Sequence, residues 1–234
     1  MNIRRENPNL KQLADAADKL VPLLDRIVFI GGCATGLLLT DDAAAPVRPT
    51  LDVETIVEAA SYAEFAVIEQ ELRQLGFRQP LTQGSPICRW IQGDLILDLM
   101  PTDPSILGFS NRWYRPALKN SIRLPIGDQE IRLITAPYFL ATKLEAFHGR
   151  GNNDYRMSHD LEDIVTVIDG RPELVAEISF CDRELRQYLS DEFQALTSSH
   201  EFHDALPGHL LPDAVSQQRI SIVVARLQQI IIRS

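Results

Sequence analysis

Cysteine is scarce in this chain, and what there is forms no pattern. Cys33, Cys88 and Cys181 are the three cysteines in 234 residues, odd in number and far apart. They fit neither a disulfide framework nor a zinc-ligand spacing, and they read as buried thiols. No run of about eighteen or more apolar residues exists, and "MNIRRENPNLKQ" has no apolar stretch behind its arginines, so neither a membrane span nor a secretory leader is expected. The expected setting is cytoplasmic. Basic charge is also short, with 23 Lys and Arg against 32 Asp and Glu and a net charge of -9. That excludes a surface that coats nucleic acid indiscriminately, because such binding depends on basic residues releasing phosphate counterions; a local basic cleft stays allowed. His148, His159, His200, His203 and His209 show no H-E-x-x-H spacing and there is no G-x-S-x-G, which argues against a zinc enzyme and gives nucleophilic hydrolase chemistry little support.

What is present is an ordinary globular composition, 45% apolar, with enough chain for one large domain or two smaller ones. Leu10 to Leu24 has helical periodicity, Ile27 to Ile30 is a short apolar strand ended by Gly31 and Gly32, and Cys33 to Thr40 starts a helix of small residues. After the loop "DDAAAPVRP", Leu51 to Glu58 reads as a second strand. "SYAEFAVIEQELRQLGF" opens on Ser61 as N-cap with Glu64 as its capping-box partner and stops at Gly76. Two hairpins follow, one turning near Gly93 and one at Gly127-Asp128, separated by "TDPSILGFSNRWYRPAL", which reads as a loop. From Pro137 the pattern is helical almost to the end, apart from the polar, aperiodic "RGNNDYRM" at 150–157. The expected architecture is therefore α+β: a mixed β-sheet with flanking helices over residues 1–135, then an all-helical half over 136–234.

Within this frame "RPTLDVETIV" stands out, because period-two alternation puts Asp52 and Glu54 on one face of a strand otherwise made of apolar residues. Two readings stand: solvated acids on an edge strand, or a metal site. The second is favoured by Gly31-Gly32, which offers backbone amides at a helix start, and by a third acid, Asp98, in the apolar strand "DLILDLMP". Three converging carboxylates are the donor set for two magnesium ions, whose charge would cancel the repulsion. The loop residues Arg112, Trp113, Tyr114 and Arg115 combine aromatics and arginines as a base- and phosphate-binding surface does, although a Trp-Tyr pair anchoring the loop to the core is the better account of them, with Arg112 kept as a substrate contact.

Taken together, the glycine pair, the helix, the D-x-[DE] strand and the later acid resemble the DNA polymerase beta-type nucleotidyltransferase superfamily over roughly Ile27 to Asp169. "RPTLDVETIV" is similar to the R-x-T-x-D-[IV]-D block of its AbiEii-like members, which include toxins of toxin-antitoxin systems; "ATKLEAFHGR" and "SHDLEDI" supply the downstream Lys143 and the D-x-x-D pair Asp160 and Asp163. Glu54 stands where these members commonly have Asp, and "TDDAAAPV" reads as an insertion. The resemblance implies that Gly31 and Gly32 approach a triphosphate, that Asp52, Glu54 and Asp98 ligate magnesium, and that Lys143 neutralises phosphate, with Asp160 and Arg112 nearby and the helical half completing the cleft. It implies transfer of a nucleoside monophosphate from an NTP to an acceptor hydroxyl on a tRNA, a protein or a small molecule, and an antitoxin protein as a partner. The alternatives are a catalytically silent nucleotide-binding or regulatory module acting through its helical half, and a metal-dependent phosphohydrolase.

Overall fold

In the computed structural model, which describes residues 7–150 and 154–233, helix α1 spans Leu10–Lys19 and buries Leu13, Ala16 and Ala17. It stops short of the expected Leu24. Pro22 cannot donate to a continuing helix, and Val21–Leu23 is a 3-10 turn instead. The apolar run Ile27–Ile30 forms β1, buried throughout, and runs directly into α2, Gly31–Leu38. β2 (Val53–Val57) lies antiparallel to β1, and α3 (Tyr62–Gln74) follows, capped as the sequence indicates: the Ser61 hydroxyl accepts from the Glu64 amide, and the Glu64 carboxylate accepts from the Ala60 amide. β3 (Arg89–Gln92) and β4 (Leu95–Pro101) form a hairpin about Gly93 and Asp94.

The segment read as a loop contains two short helices, α4 (Pro104–Leu107) and α5 (Tyr114–Lys119). Its local signals are present: the Asp103 carboxylate accepts from the Ser105 amide, Pro104 occupies the first turn and Gly108 ends the helix in the left-handed region. β5 (Ile122–Ile126) and β6 (Gln129–Leu133) make the second hairpin. The six strands are ordered β3-β4-β2-β1-β6-β5. β2 runs parallel to β4 and β1 parallel to β6, so the sheet is mixed. The helical remainder comprises α6 (Ala136–Arg150), α7 (His159–Gly170), α8 (Leu174–Ser179), α9 (Arg183–Ser198), α10 (His200–Ala205), α11 (Ala214–Gln218) and α12 (Ile220–Arg233). Of the polar, aperiodic stretch at 150–157, residues 151–153 lie outside the described residues, and the Asp154 carboxylate accepts from the amides of Arg156 and Met157. Among the described residues no helix is long and apolar enough to cross a membrane.

Contacts divide the described chain into two compact units. The sheet unit contains Pro8–Ala34 and Arg48–Thr135. Its core includes Leu13, Phe29, Val53, Phe65, Trp90, Leu97 and Leu133, each almost fully buried. The helical unit contains Asn7, Thr35–Val47 and the described residues from Ala136 onward. Phe139, Phe147, Ile164, Leu189, Phe193, Val223 and Leu227 fill its interior. Thr35–Val47 is held there by its backbone, since the amides of Thr40 and Asp41 donate to the Gly170 carbonyl at 2.9 and 3.0 Å. Gly170 is required by that close approach: a Cβ would lie 2.8 Å from the Leu39 side chain. Arg219 completes the attachment by bonding the carboxylates of Asp41 and Asp169.

Candidate functional site

Strand register brings the acids of the sheet unit together. Glu54 on β2 is the partner of Asp98 on β4, and Asp98 is in turn the partner of Arg89 on β3. Directly opposed residues share a sheet face, so Arg89, Asp98 and Glu54 form one row across three strands. Asp52, two residues before Glu54 and just outside β2, falls on the same side. The approach to it is pinned by α1. The buried Asn9 amide donates to the Arg48 carbonyl and accepts from the Thr50 amide, while Gln12 donates to the Leu51 carbonyl.

A carboxylate opposite a carboxylate is destabilising unless something intervenes. Here Asp98 and Asp52 share one cation, and Glu54 has a partner elsewhere. The Arg89 guanidinium bonds Asp98 through Nε to Oδ1 at 2.8 Å and through Nη2 to Oδ2 at 2.7 Å, and the same Nη2 bonds Asp52 Oδ2 at 2.5 Å. This fork against two carboxylates holds the guanidinium charged, raising it above the ordinary arginine value, first through hydrogen bonding to Asp98 and further through the charges of Asp98 and Asp52. Glu54 turns the other way, and its Oε2 accepts from the Gly32 amide at 2.9 Å. An anion at the first turn of α2 is favoured by the free amides and dipole of a helix start.

Gly31 makes that contact possible. Its φ of +70° lies in the left-handed region, and a Cβ added there would run into the Glu54 carboxylate. Cys88, the residue before Arg89, is buried. Burial first, then the negative charge of Asp98, pushes its thiol up to about 12. Cys33 is also buried, whereas Cys181 is half-buried, so the expectation of three buried thiols holds fully for two.

The remaining sequence-derived residues lie elsewhere. Lys143 on α6 belongs to the helical unit, where it is only 5% exposed and bonds Asp160 at 3.0 Å and Asp163 at 2.7 Å, both on α7 and both buried. Lys143, Asp160 and Asp163 form a buried ion triad. Arg112 is exposed and lies over the Trp113 ring, 5.3 Å from its centroid. Trp113 itself is buried and the Tyr114 hydroxyl contacts Met100 Sδ, so this aromatic pair does anchor the segment to the core.

Arg89 is the site residue that sequence reasoning missed. The signal was available. A two-residue turn at Gly93-Asp94 places Gln92 opposite Leu95 and, counting back, Arg89 opposite Asp98. The pairing of β2 with β4 had no such local signal, because a parallel neighbour more than forty residues away is set by the whole sheet.

For magnesium, the donor chemistry fits: Asp52, Glu54 and Asp98 offer hard carboxylate oxygens, and the Arg89 guanidinium stands between two of them as a cation already in place. The arrangement is not preformed, since among the described residues no group of three or more His, Cys, Asp or Glu is disposed to hold a metal ion. Formally, three carboxylates against one guanidinium leave two negative charges on this face.

No protein-family model matches the chain. No curated protein matches it in sequence. Among solved structures the chain is similar to the crystal structure of an antigenic nucleotidyltransferase-like protein from Paracoccidioides brasiliensis, at 20% identity, covering 85% of this chain and 92% of that chain, with a TM-score of 0.48.

Proposed function

We propose that the chain is a magnesium-dependent nucleotidyltransferase, moving a nucleoside monophosphate from an NTP to an acceptor hydroxyl. The observation that carries this reading is the row of Asp98 and Glu54 in register, with Asp52 on the same side and the Gly31-Gly32 helix start beside Glu54. In the transfer, the acceptor oxygen bonds to the α-phosphorus, the α–β phosphoanhydride bond breaks, pyrophosphate leaves with the electron pair and the hydroxyl proton is released. Asp52, Glu54 and Asp98 would hold the metal. When bound, magnesium activates the attacking oxygen and stabilises the leaving group. The Gly31 backbone leaves room for close approach, and the Gly32 amide offers a donor to phosphate once Glu54 turns away. Arg112, exposed on the sheet unit, is a further nucleotide contact in this reading, and Lys143 and Asp160 of the helical unit enter it only through the family resemblance. Most of the rate would come from positioning and fixed charge, since phosphoryl transfer leaves little covalent work to the protein. The acceptor is a tRNA, a protein or a small molecule, and a toxin role with an antitoxin partner follows if the acceptor is essential to the cell.

A second reading has its own observation. Arg89 already bonds two of the acids and Glu54 already occupies the Gly32 amide, as a nucleotide-binding module without transfer activity would allow. One experiment addresses both. The protein is incubated with each NTP labelled at the α-phosphorus, magnesium, and total RNA or lysate, and the labelled acceptor is identified. Label should appear on one class of acceptor with the wild type and vanish with Asp52→Ala; transfer that persists in Asp52→Ala sinks the proposal. Nucleotide binding with no pyrophosphate released over all acceptors supports the silent module instead.

A further inference from the structure

The sheet-unit site contains a cation of its own, and its geometry has consequences for any other cation. Arg89 sits on β3, the edge strand of the sheet, and its side chain is 24% exposed although the next residue, Trp90, is fully buried. Its backbone is therefore fixed by the core, while its long side chain has a solvent side to move into. Its partners come from two places, Asp98 on β4 and Asp52 before β2, so the guanidinium lies where a bridging ion would have to lie.

We infer that Arg89 is a tethered counter-cation that closes the acidic site, and that a divalent cation binds there by exchange with it rather than by addition. This rests on the nucleotidyltransferase reading, which supplies the reason for a divalent cation at these carboxylates. Exchange has a definite signature. The ion must release charge-assisted hydrogen bonds before it can take the carboxylate oxygens, so its affinity is lowered by the free energy of those bonds. Removing the guanidinium while keeping the volume of the side chain should tighten divalent-cation binding roughly 10- to 100-fold, the factor that one such charge-assisted bond implies. Arg89 is thus a specificity-determining and positioning residue: it admits ions that outcompete a guanidinium for two carboxylates and offsets part of the site's negative charge without them.

The test is manganese(II) binding, measured by calorimetry and by the loss of free-ion paramagnetic signal, for the wild type, Arg89→Met, Arg89→Lys and Arg89→Met with Asp98→Asn. Arg89→Met should bind about 10- to 100-fold more tightly than the wild type, Arg89→Lys should fall between the two because it keeps the charge but not the fork, and the double variant should lose the gain. Equal affinity for Arg89→Met and the wild type, or no binding by either, overturns the inference. Should Arg89→Met not fold, wild-type crystals soaked in manganese decide: an ion between Asp52 and Asp98 with Arg89 swung away supports exchange. An ion bound with Arg89 still on both aspartates, or no ion at all, refutes it. These readouts are independent of turnover. A tighter Arg89→Met with no nucleotide transfer by the wild type would leave the exchange standing and remove the enzymatic reading; nucleotide transfer with unchanged cation affinity would do the reverse.

Discussion

Lys143 illustrates how a residue nominated for phosphate binding can be required for folding. Replacing it by methionine keeps the bulk of the stem inside the helical unit but removes the ammonium that faces Asp160 at 3.0 Å and Asp163 at 2.7 Å. All three side chains are buried, with residue exposures of 5%, 6% and 4%, so the two carboxylates would be left in a poorly solvated site with one cation fewer. Breaking a buried pair by removing one partner costs about 3–5 kcal/mol. For a chain of this size that corresponds to a fall in melting temperature of about 6–20 °C, at about 2–4 °C per kcal/mol. Urea unfolding followed by far-ultraviolet circular dichroism measures it. Adding Asp163→Asn to Lys143→Met should recover at least half of the loss, because it removes one of the buried charges. A Lys143→Met protein within about 1 kcal/mol of the wild type would refute the reasoning, since losing one partner of a buried ion pair costs more than that. The double variant also separates the roles: nucleotide transfer still absent from a restabilised protein points to phosphate, and transfer that returns points to folding.

Three other outcomes follow from the same contacts. Gly31→Ala places a Cβ against the Glu54 carboxylate at a left-handed φ, and should cost about 1–2 kcal/mol for the backbone plus about 1.5–3 kcal/mol for the displaced Glu54 bond to Gly32, read as a lowered urea midpoint; an unchanged midpoint contradicts the geometry. Burial lifts the thiols of Cys88 and Cys181 to about 12 and about 11, so native protein at pH 8 should react slowly with a disulfide reagent at these positions and quickly once unfolded. Mapping the modified cysteines by mass spectrometry checks this, and modification of Cys88 at a free-thiol rate would count against it. Asp41 is held below its usual carboxylate value; burial opposes this, but the hydrogen bonds from Arg219 and from the Ala43 amide win. Its contribution to stability is then full above the unfolded value near 3.8 and is lost as the pH falls through the lower folded value, so the gap in stability between wild type and Asp41→Asn should shrink below about pH 4. A gap that widens on acidification would show that the sign is wrong.

How much was legible depended on the range of the interaction. Ser61 and Glu64 marked the start of α3, and Gly93 and Gly127 marked both hairpins, because caps and tight turns are fixed by residues within a few positions of one another. The helices at Pro104–Leu107 and Tyr114–Lys119 were passed over although Asp103, Pro104 and Gly108 signalled the first, since four to six residues give too little periodicity to register. The acid pair Asp52 and Glu54, and Asp98 on a later strand, were readable as a charge anomaly in apolar strands.

The sequence by itself determined that Asp52 and Glu54 share a strand face, because alternation along a strand is covalent geometry. It also contained, through the two-residue turn at Gly93-Asp94, the facing of Arg89 and Asp98. Only the tertiary structure decided that β2 lies beside β4, that Glu54 therefore opposes Asp98, and that Arg89 reaches across to Asp52 while Glu54 reaches back to the Gly32 amide. Parallel pairing between distant strands depends on how the whole sheet buries its apolar faces, and a charge finds its partner only after that packing has fixed which side chains meet.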